Sequence, residues 1–337
     1  MGECIPVGGL TVEQVRMVLT AATMAPSLHN SQPWRFLCTP QTIELHADLD
    51  RTLPATDSDH RGVMLACGAA LLNLRLAMRT VGIDADVRLL PDHTQPTLIA
   101  VVRPGGPSRI TAEDRQLSGA IPRRHTDRRP FLDVPVPEAV RNTLRRAARV
   151  EQAWMAIVSS AQASRLRVLL AQAHRTQQSD PQFMAEWSAW TGREAGAPDG
   201  VPASSAGPQP EQQDIWVMRD FSAGRAGDRV PGKDFEAEPL LAVIGSFRDV
   251  PRAQVQSGQA MQRMLLTATL SGLAASFLSQ VIEVPDTRGQ LRELIGGGLW
   301  PQTVLRLGYH TPTSATPRRD LGAVLEPPGR IASAFIR

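Results

Sequence analysis

The sequence predicts an α+β fold made of two related halves in one chain. Three observations carry this. Two pairs of matched helical stretches recur in the same order, each half closes on a β-type run, and 337 residues exceed the ~100–200 of one ordinary domain. The halves divide into 1–120 and 121–337, the second with an insertion at about 180–235.

The first matched pair is Leu10–Ala22 and Val134–Ala147. Glu13, Val15, Arg16, Leu19 and Ala22 return 125 residues later as Glu138, Val140, Arg141, Leu144 and Ala147. Val15, Leu19 and Ala22 share one helical face, as do their counterparts. Thr11 with Gln14 forms a capping box, and Pro137 suits a first helical turn. The second pair is longer: Gly68, Ala70, Leu76 and Gly82 return 190 residues later as Gly258, Ala260, Leu266 and Gly272. Both stretches are apolar nearly all round and read as buried helices. β-Type runs follow at Thr97–Val102 and Thr303–Tyr309, and Ile43–Ala47, Met155–Ser159 and Leu240–Gly245 are further strand candidates. Two related halves would fold as a dimer within one polypeptide, with room for a site at the seam.

Composition narrows the function. No stretch of ~18 apolar residues is present, so no membrane partner is expected. Met1–Gly9 lacks a basic region followed by an apolar one, and Cys4, Cys38 and Cys67 are odd in number and far apart, so a reducing cytoplasm is the expected location. His46, His60, His93, His174 and His310 show no ligand spacing, so no metal site is expected. Lys233 is the sole lysine, which leaves 35 of the 36 basic residues as arginine, although the net charge is only +3. Arginine is a planar fork suited to phosphate. With only 4% aromatic residues, and none interleaved in the densest arginine cluster, a nucleic-acid partner is not expected.

Three strings carry the chemistry. Ala25-Pro26-Ser27-Leu28-His29-Asn30-Ser31-Gln32-Pro33-Trp34 follows a helix and is dense in turn-forming polar residues. Arg123-Arg124-His125-Thr126-Asp127-Arg128-Arg129 brings guanidinium forks and a hydroxyl into one turn, which is what a phosphate monoester needs and also what a solvated turn contains. Pro317-Arg318-Arg319-Asp320 follows the last strand. Residues 192–232 stand apart, with seven Gly and five Pro in 41 positions. Trp187, Trp190, Trp216, Phe221 and Phe235 lie in or beside them, so this stretch reads as a lid with its rings, Trp216 included, over a cleft.

Together these strings resemble the nitroreductase family of FMN-dependent enzymes. Ala25 to Trp34 is similar to that family's APSxxNxQPW string. Arg124, Thr126 and Arg128 match its RRSxR-like string, with threonine at the serine position. Gly308-Tyr309 and the following Arg318 and Arg319 match its C-terminal end. The family carries both strings in one subunit, RRSxR first, and builds each site between two subunits. Here the first half has one string and the second half the other, so folding the halves together would make one complete site. This resembles the fused, lid-bearing Acg-type branch. The resemblance implies a nitroreductase-like fold, an intramolecular pseudo-dimer that is itself a monomer, and FMN as cofactor. It puts Arg124, Thr126 and Arg318 or Arg319 around the FMN phosphate and Arg128 near flavin N1 and O2. It sets Ser27, His29 and Asn30 as polar contacts across the seam, Pro26 and Leu28 against the ring, and His125 as a backbone donor. No catalytic residue is singled out. Two functions follow: an NAD(P)H-dependent reductase of nitroaromatics, quinones or flavins, or a protein that sequesters FMN under a closed lid with little turnover.

Overall fold

The computed structural model describes residues 2–226, 235–236, 238–310 and 316–327. The first half runs α1 (Val12–Thr23), β1 (Trp34–Cys38), β2 (Ile43–Ala47), α2 (Arg61–Thr80), β3 (Ile83–Leu89) and β4 (Leu98–Pro107). After α3 (Ala112–Ala120) the second half repeats the order with additions: α4 (Glu138–Val150), β5 (Trp154–Ile157), α5 (Ser160–Gln178), α6 (Pro181–Trp190), β6 (Leu240–Ser246), α7 (Pro251–Leu270), β7 (Leu273–Phe277), α8 (Gln280–Glu283), α9 (Pro285–Leu294) and β8 (Trp300–Tyr309). Each half holds a four-stranded antiparallel sheet, ordered β1-β2-β4-β3 and β5-β6-β8-β7. Position by position the two orders correspond, so the repeat in the sequence is a repeat of topology.

Local chemistry sets the boundaries. Thr11 and Gln14 close a reciprocal capping box on α1. Pro137 is the N-cap of α4 rather than a first-turn residue. Ile43–Ala47 is a strand over the range expected, whereas β4 continues to Pro107 because Arg103, Pro104 and Pro107 pair with β3.

α2 and α7 cross at the centre of the molecule. A Cβ on Gly68 would lie 2.1 Å from the Val255 carbonyl oxygen, and one on Gly258 would lie 2.2 Å from that of Leu65. The matched glycines are therefore what lets the helix backbones touch. Beside them Gln262 Nε2 donates to Asn73 Oδ1 at 2.8 Å, and Asn73 Nδ2 donates to the Ala21 carbonyl at 2.9 Å. The main core is continuous across both halves. α2 is long and apolar enough to cross a membrane, with a mean hydropathy of 1.3, which the sequence reading did not anticipate; 83% of that stretch is buried as the central core helix.

Two features break the symmetry. The connection from α1 to β1 is residues 24–33, while that from α4 to β5 is only 151–153. The C-terminal segment also crosses back: Phe36 N donates to the Val324 carbonyl at 2.8 Å and Glu326 N to the Phe36 carbonyl at 2.9 Å, which extends the first sheet at β1.

Candidate functional site

The α1–β1 connection is a tightly wound turn. His29, Asn30 and Gln32 have φ of 48°, 56° and 52°, left-handed values that non-glycine residues adopt only when the surroundings enforce them. The enforcement is visible. Ser27 Oγ accepts from Gln32 N at 2.9 Å, and Gln32 Nε2 donates to the Pro198 carbonyl at 2.8 Å. Asn30 Nδ2 donates to the carbonyls of Gly200 at 3.0 Å and Pro317 at 3.1 Å. The Asn30 and Gln32 amides thus bind the inserted segment, and Asn30 the C-terminal one as well.

The arginine turn faces this connection from the second half. Thr126 bridges to Ala275 of β7, and Asp127 N donates to the Ala275 carbonyl at 3.0 Å. Asp127 accepts from Arg129 Nε at 3.0 Å and Nη2 at 2.9 Å, which neutralises Arg129. Arg124, Arg128 and Arg318 are different. Arg124 is buried and Arg128 and Arg318 are half-buried, and among the described residues none has a carboxylate within ion-pair distance. Arg124 Nη2 and Arg318 Nη2 share the Met24 carbonyl at 3.5 and 3.4 Å, and the Nε of each has no partner among the described residues.

Burial, and for Arg124 the adjacent Arg318, push these guanidinium groups down: Arg124 to about 9, Arg128 to about 10 and Arg318 to about 10. His125 is pushed down to about 4 by burial and then by Arg124 and Arg318, so it is neutral at pH 7. Arg124, His125, Thr126 and Arg318 line a small pocket with Ser27, Asn30 and Val201. Unpaired positive charge held out of water is unfavourable unless an anion meets it. Such a pocket suits an anion.

A larger chamber adjoins it and shares the walls Pro26, Ser27, Thr126 and Arg128. Leu28, Leu65, Met261, Phe277 and Ile282 make it apolar, and Arg61, Glu283 and Gln302 are polar points on its wall. Arg61 Nη1 donates to the Gln302 carbonyl at 2.5 Å. Burial alone would raise the Glu283 carboxyl, but Arg219 beside it holds it at about 2. His29 is pushed down to about 3, chiefly by burial and also by Arg219 and Arg128.

Rings of the inserted segment stand beside the chamber, with Phe221 on its wall. Phe221 stacks under the Arg128 guanidinium at 4.2 Å, Trp187 lies 4.6 Å from Phe221, and the His29 ring meets Trp187 edge-on at 5.1 Å. Arg128 Nη1 also donates to the Ser205 carbonyl at 3.1 Å. Trp216 does not join them: it is buried with Leu166, Leu169 and Leu170 in a separate core cluster of the second half, away from the cleft. Trp190 is placed under Arg51 at 5.2 Å, and Phe235 under Arg306 at 5.1 Å.

The structure therefore brings Pro26, Ser27, Leu28, His29, Asn30, Arg124, His125, Thr126, Arg128 and Arg318 to two adjoining pockets that share walls. Arg319 is outside them. Its N donates to Gln32 Oε1 at 2.9 Å and its guanidinium lies 3.5 Å from Asp48, so its role is to hold the turn. Arg61, Met261, Glu283 and Gln302 were missed by sequence reasoning. Met261 sits in a stretch already read as a buried helix, and Arg61 is the charge opening its counterpart; Glu283 and Gln302 carry no sequence signal.

Adjoining pockets at the seam of two like halves, one cationic and the other apolar, define a protein that holds an anionic ligand with a flat or apolar body. Comparison with known proteins identifies the class. The sequence model of the Nitroreductase family matches residues 121–309. "Putative NAD(P)H nitroreductase Rv3131" of Mycobacterium tuberculosis (strain H37Rv) is 34% identical over 94% of this chain and 92% of its own. "Putative NAD(P)H nitroreductase acg" of the same strain is 31% identical over 94% and 96%. The crystal structure of "a putative nitroreductase" from Anabaena variabilis superposes on 89% of this chain and 88% of its own with a TM-score of 0.52 at 9% identity, which is a likeness of fold. The chain belongs to the nitroreductase family, and its relatives include the Acg protein.

Proposed function

We propose that this chain binds one FMN at the seam between its halves, 1–120 and 121–337, and that the segment 192–226 shields it, so that FMN is retained and NAD(P)H reduces it slowly. The observation that carries the reading is the pairing of an arginine pocket without a carboxylate on its wall with an apolar chamber. The residues fit the cofactor. Arg124, Arg318 and the Thr126 hydroxyl hold its phosphate through charge-assisted bonds. Pro26, Leu28, Leu65 and Met261 pack against its ring system and exclude water. Arg128, where pocket and chamber meet, presents a fixed cation to the ring edge that takes up negative charge on reduction. FMN bound there supplies two-electron hydride chemistry.

Hydride transfer requires a donor ring stacked on the flavin, and Phe221 with Trp187 stands across that approach. One chain then does the work of a family dimer without a second subunit. A second reading, an unhindered NAD(P)H-dependent reductase of nitroaromatics, quinones or flavins, is favoured by the names of the relatives. An anaerobic absorbance trace of the FMN-loaded protein tests both. Shielding predicts bleaching by dithionite and little by NADPH over the same minutes. Full bleaching by NADPH in seconds decides for the reductase. A protein that takes up no FMN refutes both readings.

A further inference from the structure

We propose that the buried Arg219–Glu283 pair is the latch of the inserted segment and sets the rate at which flavin leaves the chain. This rests on the FMN reading above. Arg219 belongs to the segment and Glu283 to α8 in the body of the second half. Their side chains are only 6% and 2% exposed. The body side meets most of the pair's polar atoms: Gln177 Nε2 donates to Glu283 Oε2 at 2.7 Å, and Arg219 donates to Gln177 Oε1 at 2.5 Å and to Ser279 Oγ at 3.1 Å, while Arg219 Nε has no partner among the described residues. The Arg219 guanidinium also lies 5.7 Å from the Phe183 ring and 5.2 Å from Trp187.

Position makes this contact decisive. Phe221 is two residues from Arg219, and both Phe221 and Glu283 line the chamber. Phe221 cannot swing off Arg128 by more than the reach of that short stretch while Arg219 stays bound. Trp216 anchors the segment in the second-half core three residues before Arg219, and Arg219 holds the part that carries Phe221; the polar ties elsewhere in the segment are weaker in kind. Asn30 to Gly200, Gln32 to Pro198 and Arg128 to Ser205 are single hydrogen bonds to backbone carbonyls, which water can replace. Arg51 to Asp199 is an ion pair with side chains 17% and 20% exposed. Opening at Arg219 instead leaves a carboxylate buried without its cation, the costly way to break an ion pair.

The test measures FMN release from the loaded full-length protein, read as recovery of free-flavin fluorescence after dilution. Arg219→Met keeps the stem that packs on Phe183 and Trp187 and deletes the charge; release is expected to be roughly 30- to 1,000-fold faster. Glu283→Gln keeps a hydrogen-bonding amide in place and is expected to release FMN at least ~3-fold faster; it carries the test if Arg219→Met does not fold. The double variant Arg219→Met/Glu283→Leu removes both charges and is expected to return towards the wild-type rate. Limited proteolysis within 192–226 is expected to follow the same order. Folded variants that release FMN at the wild-type rate overturn the latch and leave the cofactor reading standing. A wild-type protein that holds no flavin overturns both.

Discussion

Replacing Arg124 by methionine should move two properties in opposite directions. In the flavin-free protein Arg124 is 4% exposed, has no carboxylate partner among the described residues and sits beside Arg318. Burial and that neighbour lower it to about 9. For a base, a lowered native value means the native state binds the proton less tightly than the unfolded chain. The penalty is therefore fully present below about 9, pH 7 included, and is relieved only as pH rises from there towards the ordinary guanidinium range. At ~1.36 kcal/mol per pH unit it is on the order of several kcal/mol, and relaxation around the smaller side chain leaves ~1 kcal/mol of it measurable as stabilisation. Arg124→Met should thus raise the melting temperature of the flavin-free protein by roughly 2–4 °C. The same change removes a charge-assisted phosphate contact, ~1.5–3 kcal/mol, and should weaken FMN binding roughly 10- to 150-fold. Scanning fluorimetry with and without FMN, and a fluorescence titration, read both. A flavin-free Arg124→Met that melts below wild type, or an FMN affinity within threefold of it, refutes the assignment of this pocket to phosphate.

Flavin released by denaturation and quantified against protein should give one FMN per chain; a ratio of two would mean that the second seam also binds. Phe221→Ala should speed the anaerobic reduction by NADPH at least ~10-fold in stopped flow, because it removes the ring across the donor's approach; an unchanged rate would place the barrier elsewhere. Gly68→Ala should lower the melting temperature by roughly 3–10 °C, since its Cβ would sit 2.1 Å from the Val255 carbonyl oxygen and force α2 and α7 apart at a cost of ~1–3 kcal/mol; an unchanged melt would show that the crossing tolerates a methyl group.

Much of this was legible because it is written in local pattern. The stretches holding Gly68 and Gly258 were legible as two buried helices, while their mutual crossing is a long-range fact. The run from Pro26 to Gln32 and the arginine turn were joined into one site by the family resemblance alone, and in the structure both line the same pocket. β1, β3 and β7 were not read as strands. β3 alternates half-buried and exposed positions with charges at Asp84, Asp86 and Arg88, and its pairing with β4 is a long-range fact. Arg318 and Arg319 were indistinguishable in sequence because the choice depends on which one the crossing C-terminal segment turns inward. Trp216 was assigned to the cleft on proximity along the chain, but Leu166, Leu169 and Leu170 on α5 offer it a closer apolar home. Glu283 was invisible because its partner, Arg219, lies 64 positions away.

The single-site expectation has a physical basis in the asymmetry of the two helix-to-strand connections. Where residues 24–33 link α1 to β1, the chain has length enough to form the left-handed turn that walls the pocket and to face Arg124, Arg128 and Arg318. The equivalent link from α4 to β5 is three residues, Glu151 to Ala153, too short for such a turn. It is also electrostatically different. Glu151 is 8% exposed and accepts from Arg75 Nη1 at 2.7 Å and Arg263 Nε at 3.0 Å, and Arg263 reaches Glu113 at 3.1 Å. Arg75 and Arg263 at this seam are thus neutralised from within the chain, whereas Arg124, Arg128 and Arg318 at the other have no carboxylate partner among the described residues. Burial alone would raise the Glu151 carboxyl, but Arg75 and Arg263 hold it below the usual carboxylate range, so at neutral pH it would repel a phosphate. Duplication supplied two seams, and the placement of one carboxylate and the length of one loop decide which of them can bind FMN.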